Sequence, residues 1–152
     1  MVFMTATGHA VIGTVIAAKI GNPALAIPIA IVSHIIADTI PHWDPATNRK
    51  AKGIERVKKE AIADVILGFI LGYLLIQFVF PQTNIFYAFT IIIAAQLLDW
   101  ATAPYYFLKI KFAPFIWSYR FQKSIEHKLD APWGIINQVA VLALLVILAK
   151  LF

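Results

Sequence analysis

The sequence predicts an all-α membrane protein: a polytopic helical bundle of about five transmembrane helices with one amphipathic helix at the membrane interface. Composition is the first observation behind this class. Of the 152 residues, 61% are hydrophobic and 14% charged, whereas soluble domains average about 45–50% and about 25%. Patterning is the second, because the apolar residues form long runs separated by short polar connections. The whole chain, 1–152, is therefore expected to be one integral membrane domain.

Charge and cysteine content exclude other classes of protein. The chain has no cysteine, which excludes a disulfide scaffold and thiolate metal ligands. A net charge of +5 would suit a nucleic-acid partner in a soluble protein. Here the basic residues lie between apolar runs, where they determine topology, so no nucleic-acid partner is expected.

The first two predicted helices are short. The first, at about 5–20, is roughly 24 Å long at about 1.5 Å per residue, less than the hydrocarbon core of a bilayer. Gly21 ends it, and Asn22 and Pro23 are the N-cap and first residue of the second helix, at about 23–40. This pair either crosses the membrane twice or forms a short re-entrant hairpin.

The remaining membrane helices are longer. They are predicted at about 60–80, which Pro81 ends, at about 85–102 and at about 133–152. An amphipathic helix at about 114–128 connects the last two and is expected to lie on the membrane surface. Its apolar residues recur at every fourth position: Trp117, Phe121, Ile125 and Leu129.

The basic residues orient the bundle. Eleven of the 13 lysines and arginines fall in two connections, 41–59 and 109–128. If all five helices cross, both connections lie on one side, which the positive-inside rule makes cytoplasmic. The sequence therefore predicts a multi-pass protein of the cell membrane with a cytoplasmic N-terminus.

Histidine and aspartate side chains are predicted to gather at this cytoplasmic end. An ionisable group at the centre of a membrane helix costs about 2.5–3.5 kcal/mol, so each is a candidate for function. Steps of four residues place His34 and Asp38 on the same stripe as Ala26 and Ala30, a small-residue packing face. The predicted ligands are His9, His34, Asp38, His42, Asp44, Asp64 and Asp99.

Imidazoles and carboxylates together are ligands for divalent zinc, manganese or iron. Carboxylates outnumber histidines in this set, which favours a catalytic site of two or more ions, with zinc expected, over a closed structural site. Such sites catalyse displacement at phosphorus. The sequence therefore predicts hydrolysis of a phosphoester. The predicted catalytic residues are His34, Asp38 and Asp99.

A basic face of the interfacial helix suits the same chemistry. Arg120, Lys123 and His127 follow one another at i, i+3 and i+7, opposite the apolar stripe. We expect them to bind the phosphate of an amphiphilic, lipid-like substrate at the level of the headgroups.

Two short motifs resemble those of the YdjM-like membrane-bound metal-dependent hydrolases: Thr-Ala-Thr-Gly-His at 5–9 and Ser-His-Ile-Ile-Ala-Asp at 33–38. The resemblance implies a distant relationship to zinc-dependent phospholipase C, an all-helical phosphoesterase, and implies His9, His34 and Asp38 as metal ligands. Segment 41–44, Pro-His-Trp-Asp, is loosely similar to the family's Pro-Asp-x-Asp element. The family's His-Arg-Gly-x-Thr-His-Ser segment has no counterpart here.

Other interpretations stay open at this stage. The chain is alternatively a metal-ion or proton-coupled transporter, or a non-catalytic protein with a structural metal site. His34 and Asp38 are alternatively a hydrogen-bonded pair between helices. Asp64 and Asp99 are alternatively ion-pair partners of nearby lysines.

Overall fold

A computed structural model describes residues 4–125, 127 and 129–152, and within them the chain is helical without strands. The helices, in chain order, are α1 (Ala6–Lys19), α2 (Pro23–Thr39), α3 (Arg49–Lys52), α4 (Ile54–Phe78), α5 (Ile85–Ala95), α6 (Leu97–Leu108), α7 (Ala113–Ile125) and α8 (Trp133–Leu151). The predicted all-α class is confirmed.

Helix α1 forms the centre of the bundle. It packs against α2, α4, α5 and α8, and most of its residues are buried. Glycines permit this close packing. A Cβ atom added at Gly13 would lie 3.0 Å from the Cα of Ile92, and one added at Gly68 would lie 3.1 Å from the Cα of Thr7. The backbones of α1, α4 and α5 therefore approach one another directly.

Two or three membrane crossings are supported. Helices α4, with 25 residues, and α8, with 19, are long and apolar enough to cross a bilayer. Helices α5 and α6 form a third candidate, bent by 51°. The five crossings predicted from sequence are not confirmed. Helices α1, with 14 residues, and α2, with 17, are shorter than the other candidates.

The prediction of one continuous helix over 85–102 is wrong. Helix α5 ends at Ala95, α6 begins at Leu97, and Gln96 between them is not helical (φ −98°, ψ 1°). Because the chain bends here, the carbonyl of Ala95 is available to a side chain from another helix. The bend also places Asp99 in the first turn of α6 rather than the last turns of a longer helix.

The cytoplasmic connections predicted from sequence contain more helix than expected. Gly53 (φ 80°) separates α3 from α4, which begins at Ile54 rather than near 60. The ammonium of Lys52 lies 2.8 Å from a carboxylate oxygen of Glu60, which ties α3 to α4. The interfacial helix predicted at 114–128 is observed as α7. Glu126 and Lys128, near its predicted end, lie outside the described residues.

Residues after α2 pair with residues before α8. The backbone N–H of Leu129 donates to the carbonyl of His42 at 3.0 Å, and the side-chain amide of Asn137 donates to the carbonyl of Pro41 at 2.6 Å. Gly134 lies against Trp43. These contacts fix His42 at the same end of the bundle as the start of α1.

Candidate metal centre

Three helices bring four ionisable side chains into contact. His9 lies near the start of α1, His34 and Asp38 lie near the end of α2, and Asp99 lies just after the bend between α5 and α6. His9, His34 and Asp38 are at most 1% exposed, and the side chain of Asp99 is 16% exposed. We call these four residues the His–Asp cluster. Helical ends at one level of the bundle thus supply all of its members.

Each carboxylate of the His–Asp cluster faces both imidazoles. The Nε2 atom of His9 is 3.3 Å from Oδ1 of Asp38 and 3.9 Å from Oδ2 of Asp99. The Nε2 atom of His34 is 3.3 Å from Oδ2 of Asp38 and 3.6 Å from Oδ1 of Asp99. Each aspartate therefore presents one oxygen to each histidine.

The two imidazole rings are stacked. The ring centroids of His9 and His34 are 3.8 Å apart, and the ring planes are 11° from parallel. One nitrogen each of His9 and His34 and one oxygen of Asp99 lie within 4.8 Å of one another, close enough to share a metal ion. This stack sets the two Nε2 atoms side by side between the carboxylates.

Backbone carbonyls fix which ring nitrogen carries a proton. The Nδ1 atom of His34 is 2.6 Å from the carbonyl oxygen of Ala95 at the α5–α6 bend. A carbonyl only accepts hydrogen bonds, so Nδ1 of His34 carries a proton. His42 has the same arrangement, with Nδ1 2.6 Å from the carbonyl of Ile40. Metal-binding histidines are commonly oriented in this way.

Several buried polar atoms have no hydrogen-bond partner within the described part of the chain. Near the cluster they include both ring nitrogens of His9, Oδ2 of Asp38, Nε2 of His42 and the side-chain amide of Gln96. Leaving a buried polar group unsatisfied costs about 1–3 kcal/mol, and folded proteins seldom tolerate it without compensation. Because Oδ2 of Asp38 lies 3.3 Å from Nε2 of His34, it is the nitrogens of His9 and His42 that favour a site able to bind an ion.

Two further groups contact the His–Asp cluster. The backbone N–H of Met4 donates to Oδ1 of Asp38 at 2.9 Å. The side-chain amide of Gln122, on α7, lies 3.1 Å from Nε2 of His34 and 3.4 Å from Oδ1 of Asp99. Thr102 donates to the amide oxygen of Gln122 at 2.6 Å and so orients its NH2 group toward the cluster.

Gln122 is a residue that the sequence analysis missed. It is fully buried, although it lies within the basic connection 109–128. The signal was the i, i+4 pair of Ser118 and Gln122, two uncharged polar positions on one face of α7. Ser118 lies 2.9 Å from the hydroxyl of Thr102, so this face of α7 packs against α6.

Asp44, Asp64 and His42 lie around the His–Asp cluster. Asp64 accepts hydrogen bonds from the backbone of Ala6 at 2.6 Å and Thr7 at 3.2 Å, and so caps the start of α1. Asp44 accepts from the backbone N–H of Thr47 at 2.7 Å. The side chain of His42 is buried.

A cavity of about 120 Å³ opens beside Asp99. We call it the acidic cavity, since Asp44 and Asp64 also line it. Its other walls come from α4, α6 and the start of the chain, and include Met4 and Tyr106. It has room for more than one water molecule. Three aspartates are therefore among the residues around this space, next to the His–Asp cluster.

The residues predicted to bind phosphate lie elsewhere. Arg120, Lys123 and His127 are exposed, and none of them lines the acidic cavity. The apolar face of α7 is also exposed, with Trp117 at 66% and Phe121 at 43%. The apolar side chains of α7 point outward, while Gln122 turns inward.

A comparison of the chain with protein-family models, curated proteins and solved structures finds no match.

Proposed function

We propose that this protein is a membrane-embedded hydrolase that uses two divalent metal ions to cleave a phosphoester of a lipid or lipid-linked substrate. One observation carries the proposal: Asp38 and Asp99 each present one oxygen to His9 and the other to His34. That arrangement is the one expected of carboxylates that bridge two ions, with one imidazole bound to each ion.

The spacing supports two ions better than one. Metal pairs in phosphoesterases lie about 3.5–4 Å apart, and the stacked rings of His9 and His34 have their centroids 3.8 Å apart. Each ion would have one imidazole nitrogen and two carboxylate oxygens as protein ligands. Such a set leaves coordination positions open for water and substrate, and it suits zinc, with manganese or iron as further candidates.

Bound metal supplies a more acidic water and neutralises charge on the phosphoryl oxygens. The chain supplies the rest of the site. Asp99 lines the acidic cavity as well as belonging to the His–Asp cluster, so a phosphoryl group in the cavity lies next to the proposed ions. Gln122 holds His34 and Asp99 in position. Hydrolysis adds water across one P–O bond and releases an alcohol and a phosphate.

An apolar groove favours a substrate with a hydrocarbon chain. The groove, about 430 Å³, runs between α4 and α6, and Ile62 and Leu108 are among its walls. Trp100 and Phe107 line both the groove and the acidic cavity, so the two spaces are neighbours. An acyl or prenyl chain in the groove would place its phosphate in the cavity.

We infer the topology from the same site. The His–Asp cluster lies at the end of the bundle that carries the basic connections 41–59 and 109–128, which the positive-inside rule makes cytoplasmic. A five-helix bundle remains our proposal, with α1 crossing at its centre and α2 crossing at its edge. The motifs at 5–9 and 33–38 supply His9, His34 and Asp38, which supports kinship with the YdjM-like hydrolases.

The test is hydrolysis by purified protein in detergent, loaded with zinc or manganese. The substrates are phosphomonoesters and phosphodiesters with alkyl chains of increasing length, and the readout is released phosphate or alcohol. We expect turnover that needs metal, rises with chain length and disappears in Asp99→Asn. Asp130→Asn is the matched control, because Asp130 is exposed and outside the cluster. If the protein bound metal but hydrolysed none of the esters, the proposed hydrolase activity would be contradicted and a structural metal site would be favoured.

Transport of metal ions or protons is the second candidate. The bend at Gln96 favours it, because transporters build ion sites at discontinuous helices, and the carbonyl of Ala95 at the bend contacts His34. Flux of zinc or protons into proteoliposomes, lost in Asp99→Asn, would support transport. Esterase activity without flux would support the hydrolase.

A further inference from the structure

A second polar space lies on the other side of Tyr106 from the acidic cavity. This space, about 170 Å³, is lined by Arg49, Tyr105, Tyr106, Lys109, Lys111 and Tyr119. We call it the basic pocket. Its walls come from the start of α3, the end of α6, the connection 109–111 and α7. It is therefore built from segments far apart in the sequence that meet at the basic end of the bundle.

The three cations of the basic pocket are not neutralised by carboxylates within the described residues. The salt bridges found there among lysines and arginines join Lys52 and Arg56 to Glu60. Asp44 and Asp99 line the acidic cavity, not the basic pocket. Three positive charges around one space repel one another, and a bound anion would remove that repulsion.

Tyr106 fixes the positions of two of these cations. The guanidinium carbon of Arg49 lies 4.7 Å from the centroid of the Tyr106 ring. The ammonium of Lys109 donates to the carbonyl of Tyr106 at 2.9 Å and lies 5.8 Å from the same ring. The Tyr106 side chain is 3% exposed, and Arg49 is also a hydrogen-bonding neighbour of its hydroxyl. One aromatic residue therefore holds both cations at the wall of the pocket.

The backbone turns at two residues next to the lining of the pocket. Asn48 (φ 59°), which precedes Arg49, and Lys109 (φ 61°) are the only non-glycine residues with positive φ in the described chain. Asparagine adopts this conformation more readily than most residues, and Lys109 adopts it as the C-cap of α6. The two turns begin the segment of Arg49 and end the helix of Tyr106, both of which line the pocket.

We propose that the basic pocket binds a phosphate group. Arginine presents paired donors that match two phosphate oxygens, and lysine adds point charges. The tyrosines supply aromatic walls and hydroxyl groups within the same space. The phosphate comes either from a free anion or from the headgroup of an anionic lipid. This site differs from the His–Asp cluster and does not depend on bound metal.

The test measures phosphate binding to full-length protein treated with a chelator, so that no metal binds the anion. One arm adds sodium phosphate, with sodium chloride at equal ionic strength as its control. The other adds dihexanoyl phosphatidic acid, with dihexanoyl phosphatidylcholine as its control. Equilibrium dialysis and thermal unfolding are the readouts. We expect saturable binding that raises the unfolding temperature.

Two double variants test whether this phosphate binding occurs in the basic pocket. Lys109→Gln combined with Lys111→Gln is expected to weaken binding at least about tenfold, since charge-assisted hydrogen bonds are lost. Lys50→Gln combined with Lys59→Gln removes the same charge from exposed positions that do not line the pocket and is expected to change affinity little. Both variants alter exposed side chains, so both are expected to fold.

The outcomes separate the two sources of phosphate. Binding of both ligands indicates a free phosphate site, and binding of phosphatidic acid alone indicates a lipid headgroup site. No saturable binding of either ligand would overturn the proposal. Equal loss of affinity in the two double variants would overturn it as well, because the effect would then be one of net charge.

Discussion

The two ends of the bundle are built from the same helices but differ in how completely their polar groups are satisfied. At the end away from the basic connections, α1, α2 and α5 meet through small and aliphatic side chains such as Ala17, Ala26 and Ile91. The polar groups there have partners: the hydroxyl of Tyr87 donates to the carbonyl of Ile20, and Asn22 caps α2. We call this region the apolar end.

At the opposite end, the His–Asp cluster buries ring nitrogens and a carboxylate oxygen without hydrogen bonds in the described structure. Helix packing alone would favour apolar residues at these positions. The contrast indicates that the apolar end stabilises the fold. The cluster end is less stable because its buried polar groups serve to bind a ligand. Substitutions at the cluster end should therefore abolish ligand binding, whereas substitutions at the apolar end should destabilise the fold.

The largest effect is expected from Asp38→Asn. Asparagine keeps an oxygen for the N–H of Met4 but loses the charge that would bridge two metal ions. We expect turnover to fall by about a thousandfold, because several kcal/mol of charge stabilisation is lost at about 1.4 kcal/mol per tenfold. The unfolding temperature should also stop responding to zinc. If this variant bound zinc as tightly as the wild type, Asp38 would not be a zinc ligand.

In the middle of α1, between the two ends, Gly13→Val should destabilise the fold by about 1–3 kcal/mol, as overpacking does. The new Cβ would lie 3.0 Å from the Cα of Ile92, and backbone cannot move aside easily. Denaturant titration in detergent measures the change, with Gly21→Ala as the control, since nothing lies within 4 Å of a Cβ there. Zinc bound per folded molecule should be unchanged. If this variant lost zinc while staying folded, packing and metal binding would not be separate properties of the two ends.

Gln122→Leu tests whether a residue that is not a proposed ligand supports metal binding at the cluster end. The substitution removes the amide that contacts His34 and Asp99 but leaves the proposed ligands in place. Loss of such a supporting group typically weakens metal affinity about 10–100-fold. Competition with a chromophoric chelator measures the affinity. The adjacent Lys123→Gln, at an exposed position, is the control. Equal affinities in the two variants would deny Gln122 a supporting role.

The smallest effect is expected from Asp64→Ala. Asp64 caps the start of α1 through the N–H groups of Ala6 and Thr7, and removing such a cap costs about 0.5–2 kcal/mol. We expect a lower unfolding temperature with unchanged zinc stoichiometry. Loss of one zinc ion per chain would instead support the sequence prediction that Asp64 is a ligand.

The sequence predicts helix faces well, because positions four apart in one helix share a stripe whatever surrounds it. Ala26, Ala30, His34 and Asp38 were placed on one packing face of α2, and all are buried. The prediction extended to the end of the bundle at which the polar groups gather, although Asp99 lies in the first turn of α6 and not in the last turns of a longer helix. It did not extend to the contacts between helices, which depend on the bundle as a whole.

The bend at Gln96 shows why the rest was not predictable. No glycine or proline marks it, and residues 85–102 are as apolar as a continuous membrane helix. The bend is accompanied by a tertiary contact, since the Ala95 carbonyl accepts from His34 on α2. The roles of Gln122 and of the basic pocket likewise arise from packing of α6 against α7, which periodicity within one helix does not encode.

X-ray absorption at the zinc edge on the zinc-loaded protein tests the central claim most directly. We expect imidazole scattering from one histidine per zinc. Each zinc should have nitrogen and oxygen ligands at about 2.0–2.1 Å and a second zinc at about 3.5–4 Å. The imidazole signal should vanish when His9 and His34 are both replaced by glutamine. A spectrum without imidazole ligands, or one that survives the double replacement, would contradict a metal centre at the His–Asp cluster.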